Sequence, residues 1–433
     1  MSSMTPPPLS DKQKWSIGAS TRKKIALWVG AVSAGKTIAS LIAFVIAVMK
    51  TTGRGRIVII GKTLQTIERN IIEPLQSPDL FGDVANHVEH TTGSSIAYIL
   101  GKEIHLIGAN DTRAEEKIRG ATIELAYVDE ATLLPVGFWE MLITRLRVAG
   151  ARLLATTNPG SFNHWLNLDW IKAKDQKNMI VFHFTMHDNP LYFEGGDPGP
   201  QYVEEMEAAF AGIFYDRFIL GLWTNAEGAI FDMFDPAKHK IRWEDLPIMS
   251  RLLAVGVDYG TTNPTSALLL GLALHMDGLG KTHPKLYLID EYRYESSTTK
   301  QKLTDGELSQ QLRNWLGEEH LPNNQRLQPD YVILDPSAAS FRVQLSKDGL
   351  VSTQANNEVL YGIRLVTSLL QSGQLLVSDR CTGWLKEVTE YVWDSKATEK
   401  GEDKPLKAND HSMDAARYAI ATTESIWRQY VTV

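Results

Sequence analysis

The stretch Gly30 to Thr37, GAVSAGKT, constrains the fold more than any other feature of this 433-residue chain. It matches the pattern G-x-x-x-x-G-K-[ST], follows the apolar run KKIALWVG and precedes the apolar run TIASLIAFVIAVM. In this pattern the backbone N–H groups curl around phosphate oxygens, the lysine neutralises the β- and γ-phosphates, and the Thr hydroxyl can bind Mg²⁺. We therefore expect a nucleotide phosphate to contact Gly30, Ser33, Ala34, Gly35, Lys36 and Thr37.

A nucleotide site also needs acidic residues at the end of a neighbouring strand, and LAYVDEAT provides them. Asp129 would hold Mg²⁺, directly or through water, and Glu130 could polarise the attacking water. A strand that ends in solvated acids is the structural alternative, but the preceding phosphate loop favours the nucleotide site.

The run LLATTNPG is a third strand candidate, and it ends in Thr156, Thr157 and Asn158. These small polar residues could sense the γ-phosphate, although a polar turn explains them as well. Asn158 is therefore a candidate nucleotide contact.

Phosphoryl transfer also needs a cation for the charge that develops in the transition state. Arg119, one short loop before the acidic strand, is the candidate, with Arg145 and Arg147 as rivals.

Short β-rich runs alternate with helical patterns through the first half, which predicts an α/β fold with a mostly parallel sheet. After about residue 225 a segment rich in turn residues leads to a new strand candidate, LLAVGVDYG. We expect two domains, 1–225 and 249–433, joined by a linker at 226–248.

Strand candidates in the second half end in carboxylates three times: at Asp258, at Asp290 with Glu291, and at Asp335. A single Asp after a strand is often only the start of a turn. The later stretch KANDHSMDAARYAI adds His411 and Asp414, which are three residues apart and share a helical face. Asn409 or Asp410 would cap that helix.

Several carboxylates that converge from strands and a helix suit hard divalent cations. Two Mg²⁺ or Mn²⁺ ions about 4 Å apart cleave phosphodiesters by activating a water and stabilising the leaving oxygen. Zinc is disfavoured, because one cysteine and scattered histidines give no closed tetrahedral set.

Composition narrows the classes of protein further. One cysteine, Cys381, fits a reducing cytoplasm, and the N-terminus has no apolar signal core, so we expect no secretion. The most apolar run, from Ile38, is too short to cross a bilayer. The formal net charge of −7 says little about any one groove.

Taken in order, the phosphate loop, VDEAT, TTNPG, GLWTNAEG, GVDYG, LDPS and DHSMDAARY resemble the large subunit of tailed-bacteriophage terminases. The resemblance runs from about Gly30 to Tyr418 and implies a P-loop ATPase domain joined to an RNase H-like α/β nuclease domain. It implies ATP-driven translocation of double-stranded DNA into a procapsid and cutting of concatemeric DNA. The implied cofactors are ATP and Mg²⁺, with Mn²⁺ possible at the nuclease site. The implied partners are DNA, the portal protein and the small terminase subunit, in a homo-oligomeric ring on the portal in the cytoplasm of the infected host. The isolated chain could be a monomer in solution.

By their motifs, Asp258, Asp335 and Asp414 match the three carboxylates of the family's nuclease site. His411 matches a histidine that some members have. Glu291 matches a metal ligand only loosely. Many members carry an arginine in the phosphate loop where this chain has Ser33. This difference favours Arg119 as the cation for phosphoryl transfer, acting either in its own subunit or across a subunit boundary. Gln13 lies about where the family has an adenine-contacting glutamine.

Two other functions compete with a packaging motor. A cellular ATP-dependent helicase-nuclease would share the phosphate loop but should show a second motor domain before any nuclease. A non-cleaving P-loop adaptor would use its carboxylates only as turn residues.

Overall fold

The computed structural model describes residues 8–109, 114–193, 199–260, 264–276, 280–295, 302–322 and 324–432. The chain forms two compact units. The first comprises Met1–Glu207, Gly212–Asn225 and Glu399–Glu402, and the second Ala208–Ala211, Ala226–Thr398 and Asp403–Val433. Residues 226–248, predicted to be a linker, are part of the second unit and contribute the short strand Lys240–Ile241 to its sheet.

The first unit is built on an eight-stranded sheet with the order β3-β4-β5-β2-β6-β7-β1-β8. Its strands are β1 Ile25–Gly30, β2 Arg56–Gly61, β3 Val88–His90, β4 Ile96–Ile99, β5 Lys102–Gly108, β6 Ile123–Val128, β7 Arg152–Thr157 and β8 Met179–Phe184. The pairs that involve β1, β2, β6 and β7 are parallel, whereas β4 is antiparallel to both β3 and β5.

Helical segments surround this sheet. The α-helices are Asp11–Ala19, Lys36–Met49, Leu64–Ile67, Glu73–Leu75, Pro78–Phe81, Glu115–Ile118, Val136–Arg145, Pro200–Ala209 and Gly212–Phe218. The π-helices are Glu68–Ile72 and Leu166–Ile171. The 3₁₀ turns are Ser20–Arg22, Gly82–His87, Ala131–Leu133, Met186–Asp188 and Pro190–Tyr192.

The central strands are apolar on both faces because helices cover both sides, as in other parallel sheets. All six residues of β1 and of β6 are buried. The long helix Lys36–Met49 packs Phe44 against Tyr127 of β6, with ring centroids 5.2 Å apart. The neighbours β6, β7 and β1 all run in one direction, so their carboxyl ends meet at one edge of the sheet.

The second unit has a seven-stranded sheet with the order β14-β13-β10-β11-β12-β15-β9. Its strands are β9 Lys240–Ile241, β10 Met249–Asp258, β11 Thr265–Met276, β12 Thr282–Tyr294, β13 Tyr331–Leu334, β14 Thr353–Gln354 and β15 Leu375–Ser378. Strands β10, β11 and β12 form an antiparallel meander, and β13 lies parallel to β10 on its other side.

The helices of the second unit are Pro236–His239, Asp305–Leu316, Ala339–Lys347, Val359–Gln371, Thr382–Glu390, Ser395–Glu399, His411–Thr422 and Glu424–Trp427, with a 3₁₀ turn at Trp243–Asp245. The helix His411–Thr422 lies directly on β10. A side chain at Gly256 would collide with the carbonyl oxygen of Ala415, so glycine is required for this close approach.

Both units therefore have the mixed α/β architecture that the alternating pattern predicts. Among the described residues, no helix combines the length and the apolar character that crossing a membrane requires.

Candidate active sites

The phosphate loop connects the end of β1 to the helix Lys36–Met49. Gly30 approaches β8 so closely that a side chain there would collide with the backbone of Phe184. Gly35, at φ 74°, is the residue before the helix and has the left-handed conformation that glycine adopts without strain. Ser33 has a similar conformation, at φ 52°, despite carrying a side chain.

Contacts from three other segments fix this loop. The amide Nδ2 of Asn189 donates to the carbonyl oxygen of Ser33 at 2.7 Å, and Nε2 of Gln13 donates to that of Gly35 at 3.0 Å. The hydroxyl of Ser33 lies 3.3 Å from that of Tyr202. Ala34 is buried at 1% exposure, so the loop is packed on its inner side.

Lys36 is buried at 7% exposure. Its Nζ donates to the carbonyl oxygen of Ala31 at 2.9 Å and to Oδ1 of Asn158 at 2.6 Å, two neutral acceptors. Burial lowers its pKa to about 8, although the charges of Asp129 and Glu130 oppose the shift. A phosphate group would place a full negative charge beside this buried ammonium and so favour its protonated form.

Lys36 opens into a cavity of about 260 Å³ at the carboxyl edge of the sheet. The cavity is lined by Lys36, Thr37, Asn70, Asp129, Glu130, Thr156, Thr157 and Asn158. Strand order explains this convergence, since Gly30, Asp129 and Asn158 end or follow the neighbours β1, β6 and β7.

Asp129 is held from two sides. The Thr156 hydroxyl donates to its Oδ1 at 2.7 Å, and Nδ2 of Asn70 donates to its Oδ2 at 3.1 Å. Sequence reasoning missed Asn70, which lies on the π-helix Glu68–Ile72 after β2. A π-helix within a structure is frequently found at a functional site, but no pattern in the sequence predicted this one.

Glu130, the next residue, has the backbone conformation φ 51°, ψ 56°. This left-handed conformation is uncommon for a residue with a side chain and is often found at functional sites. Burial, and then the charge of Asp129, raise the pKa of Glu130, while the charges of Lys36, Lys62 and Arg69 oppose that shift. A raised pKa brings a carboxylate closer to the range suited to a general base.

The end of β7 is connected to the segment after Glu130. The Thr132 backbone N–H donates to Oγ1 of Thr157 at 3.2 Å, and the two hydroxyls are 2.8 Å apart. The Glu130 backbone N–H is 3.4 Å from Oγ1 of Thr156. A shift at the end of β7 would therefore reach both Asp129 and Glu130.

The structure does not bring Arg119 to this cavity. Arg119 is exposed and lines a basic groove with Arg54, Arg56 and Lys117, beside the amino ends of β2 and β6. Strand β6 has six residues, so at about 3.3 Å per residue the groove is roughly 20 Å from the nucleotide edge. Arg119 cannot serve the nucleotide pocket of its own chain from that edge.

The rival arginines are also outside the cavity lining. Arg145 donates to Sδ of Met141, and Arg147 to the carbonyl oxygen of Thr144. Arg69 is closer, because its Nε donates at 3.2 Å to Oδ1 of Asn70, which lines the cavity.

In the second unit, two of the predicted carboxylates follow neighbouring parallel strands. Asp258 ends β10 and Asp335 follows β13, immediately after the register pair Val257 and Leu334. Both therefore lie at the same edge of the sheet. Asp414 and His411 are on the helix His411–Thr422, which packs on β10.

The side chains of this carboxylate cluster are engaged with protein groups. Asp258 Oδ2 lies 2.8 Å from Nδ1 of His411. The Tyr418 hydroxyl donates to Oδ2 of Asp335 at 2.5 Å, and the Ser337 backbone N–H donates to its Oδ1 at 2.6 Å. Burial and then the charge of Asp414 raise the pKa of Asp258, against the opposing effect of His411.

Asp414 is 5% exposed and bound to two cations. Nη2 of Arg417 is 2.9 Å from its Oδ1, and Nζ of Lys407 is 3.4 Å from its Oδ2. Across the parts of the chain that are described, no group of three or more His, Cys, Asp or Glu side chains is placed to hold a metal ion.

The donor chemistry of the cluster nevertheless fits a hard divalent cation. Asp258 and Asp335 lie where two neighbouring parallel strands end, and Asp414 is on the helix packed against β10. Burial, and then the charge of Asp414, raise the pKa of Asp258. A metal ion would compete with Arg417 and Lys407 for the two carboxylate oxygens of Asp414.

Glu291 lies in a different set of contacts. The Ser412 hydroxyl donates to its Oε1 at 2.5 Å, and the Gly383 backbone N–H donates to its Oε2 at 2.6 Å. It is on β12, which pairs with β11 and not with β10, and its neighbour Asp290 is paired with His320. The structure therefore does not bring Glu291 into the cluster as a free ligand.

Comparison with known proteins identifies the family of the chain. The family described as terminase large subunit, T4likevirus-type, N-terminal, matches residues 27–237. None of the curated protein sequences matches this chain.

Solved structures of the large terminase from a thermophilic bacteriophage are similar to it. One covers 96% of this chain and 99% of that chain, with 32% identity and a TM-score of 0.83. The same phage protein in complex with ADP covers 96% and 100%, with 32% identity and a TM-score of 0.81. In complex with ATP-γ-S it covers 95% and 98%, with 32% identity and a TM-score of 0.79.

The predicted fold class, a P-loop ATPase unit followed by an RNase H-like nuclease unit, is confirmed by this similarity. With a relative 32% identical over almost the whole of both chains, this chain belongs to the family of phage large terminase subunits, the packaging proteins that the order of its motifs indicated.

Proposed function

We propose that the first unit hydrolyses ATP to drive double-stranded DNA into a procapsid and that the second unit cuts concatemeric DNA with divalent metal ions. The observation that carries the proposal is the cavity in which a buried Lys36 faces Asp129 and Glu130 at the end of the phosphate loop. The thermophilic phage relative, solved with ADP and with ATP-γ-S, supports nucleotide binding at that loop.

Lys36 would bind the nucleotide by exchanging its present hydrogen-bond acceptors for phosphate oxygens. In the free chain its ammonium is bound to Ala31 and Asn158. Phosphate oxygens would compete for the same N–H donors, so a bound nucleotide would weaken the contact of Lys36 with Asn158. Asn158 follows β7, whose threonines contact Asp129 and Thr132, and this strand end can pass the nucleotide state to the rest of the unit.

Glu130 takes the role of general base. Its raised pKa and its place in the cavity suit a carboxylate that accepts a proton from the attacking water. Thr37 and Asp129 would hold Mg²⁺, with Asn70 and Thr156 orienting Asp129. When bound there, the ion would supply positive charge to neutralise the charge that develops on the phosphate oxygens.

Arg119 acts in trans. The nucleotide cavity lies at the carboxyl ends of parallel strands in the sheet, and the basic groove lies at the amino ends of β2 and β6. This placement favours a head-to-tail contact between copies. Repeated head-to-tail contacts close into a ring when the rotation between copies permits. Such a ring on the portal protein would present Arg119 of each subunit to the nucleotide of the next.

For the nuclease, Asp258, Asp335 and Asp414 would hold Mg²⁺ or Mn²⁺, with His411 orienting Asp258 or joining the ligands. When bound, two such ions would supply activation of a water and stabilisation of the leaving oxygen of the DNA strand. Lys407 and Arg417 neutralise Asp414 until metal binds. The portal protein and the small terminase subunit are the proposed partners, in the cytoplasm of the infected host.

The experiment that tests the proposal compares Lys36→Ala, Asp258→Asn and the exposed control Lys14→Ala in the full chain. Lys36→Ala should abolish ATP turnover but still cut plasmid DNA with Mn²⁺, and Asp258→Asn should do the reverse. Cutting that persists in Asp258→Asn would contradict the role of Asp258. No Mn²⁺-dependent cutting by the wild-type chain would indicate a P-loop protein whose carboxylates are structural. ATP turnover stimulated by empty procapsids would separate the packaging motor from a cellular helicase-nuclease.

A further inference from the structure

The helix that carries His411 and Asp414 is not capped by the residue that precedes it. Asp410 occupies the N-cap position, but its side chain makes no capping hydrogen bond. The expectation that Asn409 or Asp410 caps the helix is wrong in this respect, since Asn409 instead donates to Glu390. The first backbone N–H groups of a helix need an acceptor, particularly where they are buried.

Glu387, from the helix Thr382–Glu390, supplies that acceptor. Its Oε2 accepts the backbone N–H of Ser412 at 2.7 Å and that of Met413 at 3.2 Å. A carboxylate at a helix N-terminus is stabilised both by these hydrogen bonds and by the helix dipole. Glu387 thus caps the first turn of the helix that carries His411 and Asp414.

The Glu387 carboxylate is buried, and the guanidinium of Arg293 balances its charge. The Glu387 side chain is 2% exposed, and Nη1 of Arg293 is 2.6 Å from its Oε1. The same guanidinium nitrogen donates to Oγ of Ser412 at 2.6 Å. A buried carboxylate with these partners has little freedom to move, because leaving them would expose unpaired polar groups in the interior.

Glu291 completes the arrangement. Its Oε1 accepts the Ser412 hydroxyl, and its Oε2 accepts the Gly383 backbone N–H at the start of the helix Thr382–Glu390. Side chains of β12 and of one helix therefore hold Ser412 through both its backbone and its hydroxyl. Either carboxylate would have to give up these contacts to bind a metal.

We propose that Glu387, with Arg293 and Glu291, is a positioning residue of the nuclease that sets where the metal-binding turn of the helix His411–Thr422 lies. This inference rests on the proposed nuclease function. Asp258 and Asp335 are fixed at strand ends, so the distance from them to Asp414 depends on how this helix is seated. Outer groups that orient metal ligands typically change metal affinity about 10- to 100-fold when removed.

The test is Glu387→Gln in the full chain, with Glu390→Gln as the matched control. Glu390 is on the same helix but exposed, and its hydrogen bond to Asn409 lies at the surface. Glutamine has one acceptor oxygen and one donor group, so it cannot serve both Arg293 and the two backbone N–H groups. Ser412→Ala, which removes only the hydroxyl contact, is a second and milder variant.

Mn²⁺ binding to the metal-free chain is measured by calorimetry, and plasmid cutting is followed as Mn²⁺ is raised. For Glu387→Gln we expect affinity to fall about 10-fold or more, with the cutting rate largely recovered at saturating Mn²⁺. Ser412→Ala should show a smaller loss and Glu390→Gln none. ATP turnover by the first unit should be unchanged throughout.

A purely structural role predicts a different pattern, namely a lower maximal rate with unchanged Mn²⁺ dependence in the fraction that remains folded. That pattern, or wild-type Mn²⁺ affinity in both Glu387→Gln and Ser412→Ala, would overturn the inference. If the wild-type chain itself bound no Mn²⁺, the proposed nuclease function would fail, which is a separate outcome.

Discussion

The nucleotide cavity of the first unit and the carboxylate cluster of the second are both built at the carboxyl ends of parallel strands, but they differ in readiness. In the first, Lys36, Asp129 and Glu130 already face one cavity and need only a ligand. In the second, Asp258, Asp335 and Asp414 share an edge, yet each is bound to protein groups.

The difference follows from the partners of the acids. In the nucleotide cavity, the neutral side chains of Thr156 and Asn70 hold Asp129 beside the buried Lys36. The carboxylate cluster has three acids whose partners are His411, Tyr418, Lys407 and Arg417, and these hold the acids separately. We therefore expect that the chain alone organises the nucleotide site and that a bound metal ion would complete the organisation of the carboxylate cluster.

Among the substitutions that test this difference between the two sites, the largest expected effect on activity is at Asp414. Asp414→Asn should lower Mn²⁺-dependent plasmid cutting about 100-fold or more, since it removes a ligand charge. His411→Ala should lower cutting only about 10-fold, because the histidine orients Asp258. The reverse order would make His411 the principal ligand.

Nucleotide binding should depend on pH through Lys36. Nucleotide phosphates favour the protonated Lys36, whose pKa in the free chain is about 8. Between pH 7 and pH 9 the free chain loses that proton, so ADP affinity should fall about tenfold as pH rises. Calorimetry in two buffers should show proton uptake on binding at pH 9, and affinity independent of pH would contradict the assignment.

Asn70→Ala should weaken Mg²⁺-dependent ATP hydrolysis about 10-fold, because Asp129 loses one of its two orienting hydrogen bonds. The appropriate control is Asn86→Ala, at an exposed position in the first unit. The effect should appear as a higher Mg²⁺ requirement. An unchanged Mg²⁺ dependence would indicate that Asn70 only lines the cavity.

The smallest expected effect is at Lys407, which is 69% exposed and competes with metal for Asp414. Lys407→Gln should tighten Mn²⁺ binding about 2- to 5-fold, in keeping with the modest strength of exposed ion pairs. Lys396→Gln, at an exposed position, is the control. Weaker binding in Lys407→Gln would show that the lysine supports the metal site.

The nucleotide cavity was the easier site to predict, because its residues follow one another in short motifs and strand order alone brings them together. Asn70 escaped prediction since it lies 59 residues before its partner Asp129, and only the pairing of β2 with β6 brings them close. The place of Arg119, at the opposite edge from Asp129, likewise depends on where the chain turns before β6.

In the second unit, the strand-end positions of Asp258 and Asp335 followed from the apolar runs that precede them. The hydrogen bonds and ion pairs of these side chains could not be predicted in the same way. The sequence pattern suggested that the helix from His411 is capped locally, whereas Glu387 from another helix accepts its first N–H groups. Glu291 resembled a ligand because strand-end acids look alike until the pairing of β12 is known.

The most direct test of the proposed metal site is the anomalous diffraction of Mn²⁺ in crystals of the full chain. We expect Mn²⁺ bound by Asp258, Asp335 and Asp414, with Lys407 and Arg417 withdrawn from Asp414 and Glu387 still bound to the helix. Mn²⁺ coordinated by Glu291, or no metal at these carboxylates at saturating Mn²⁺, would contradict it.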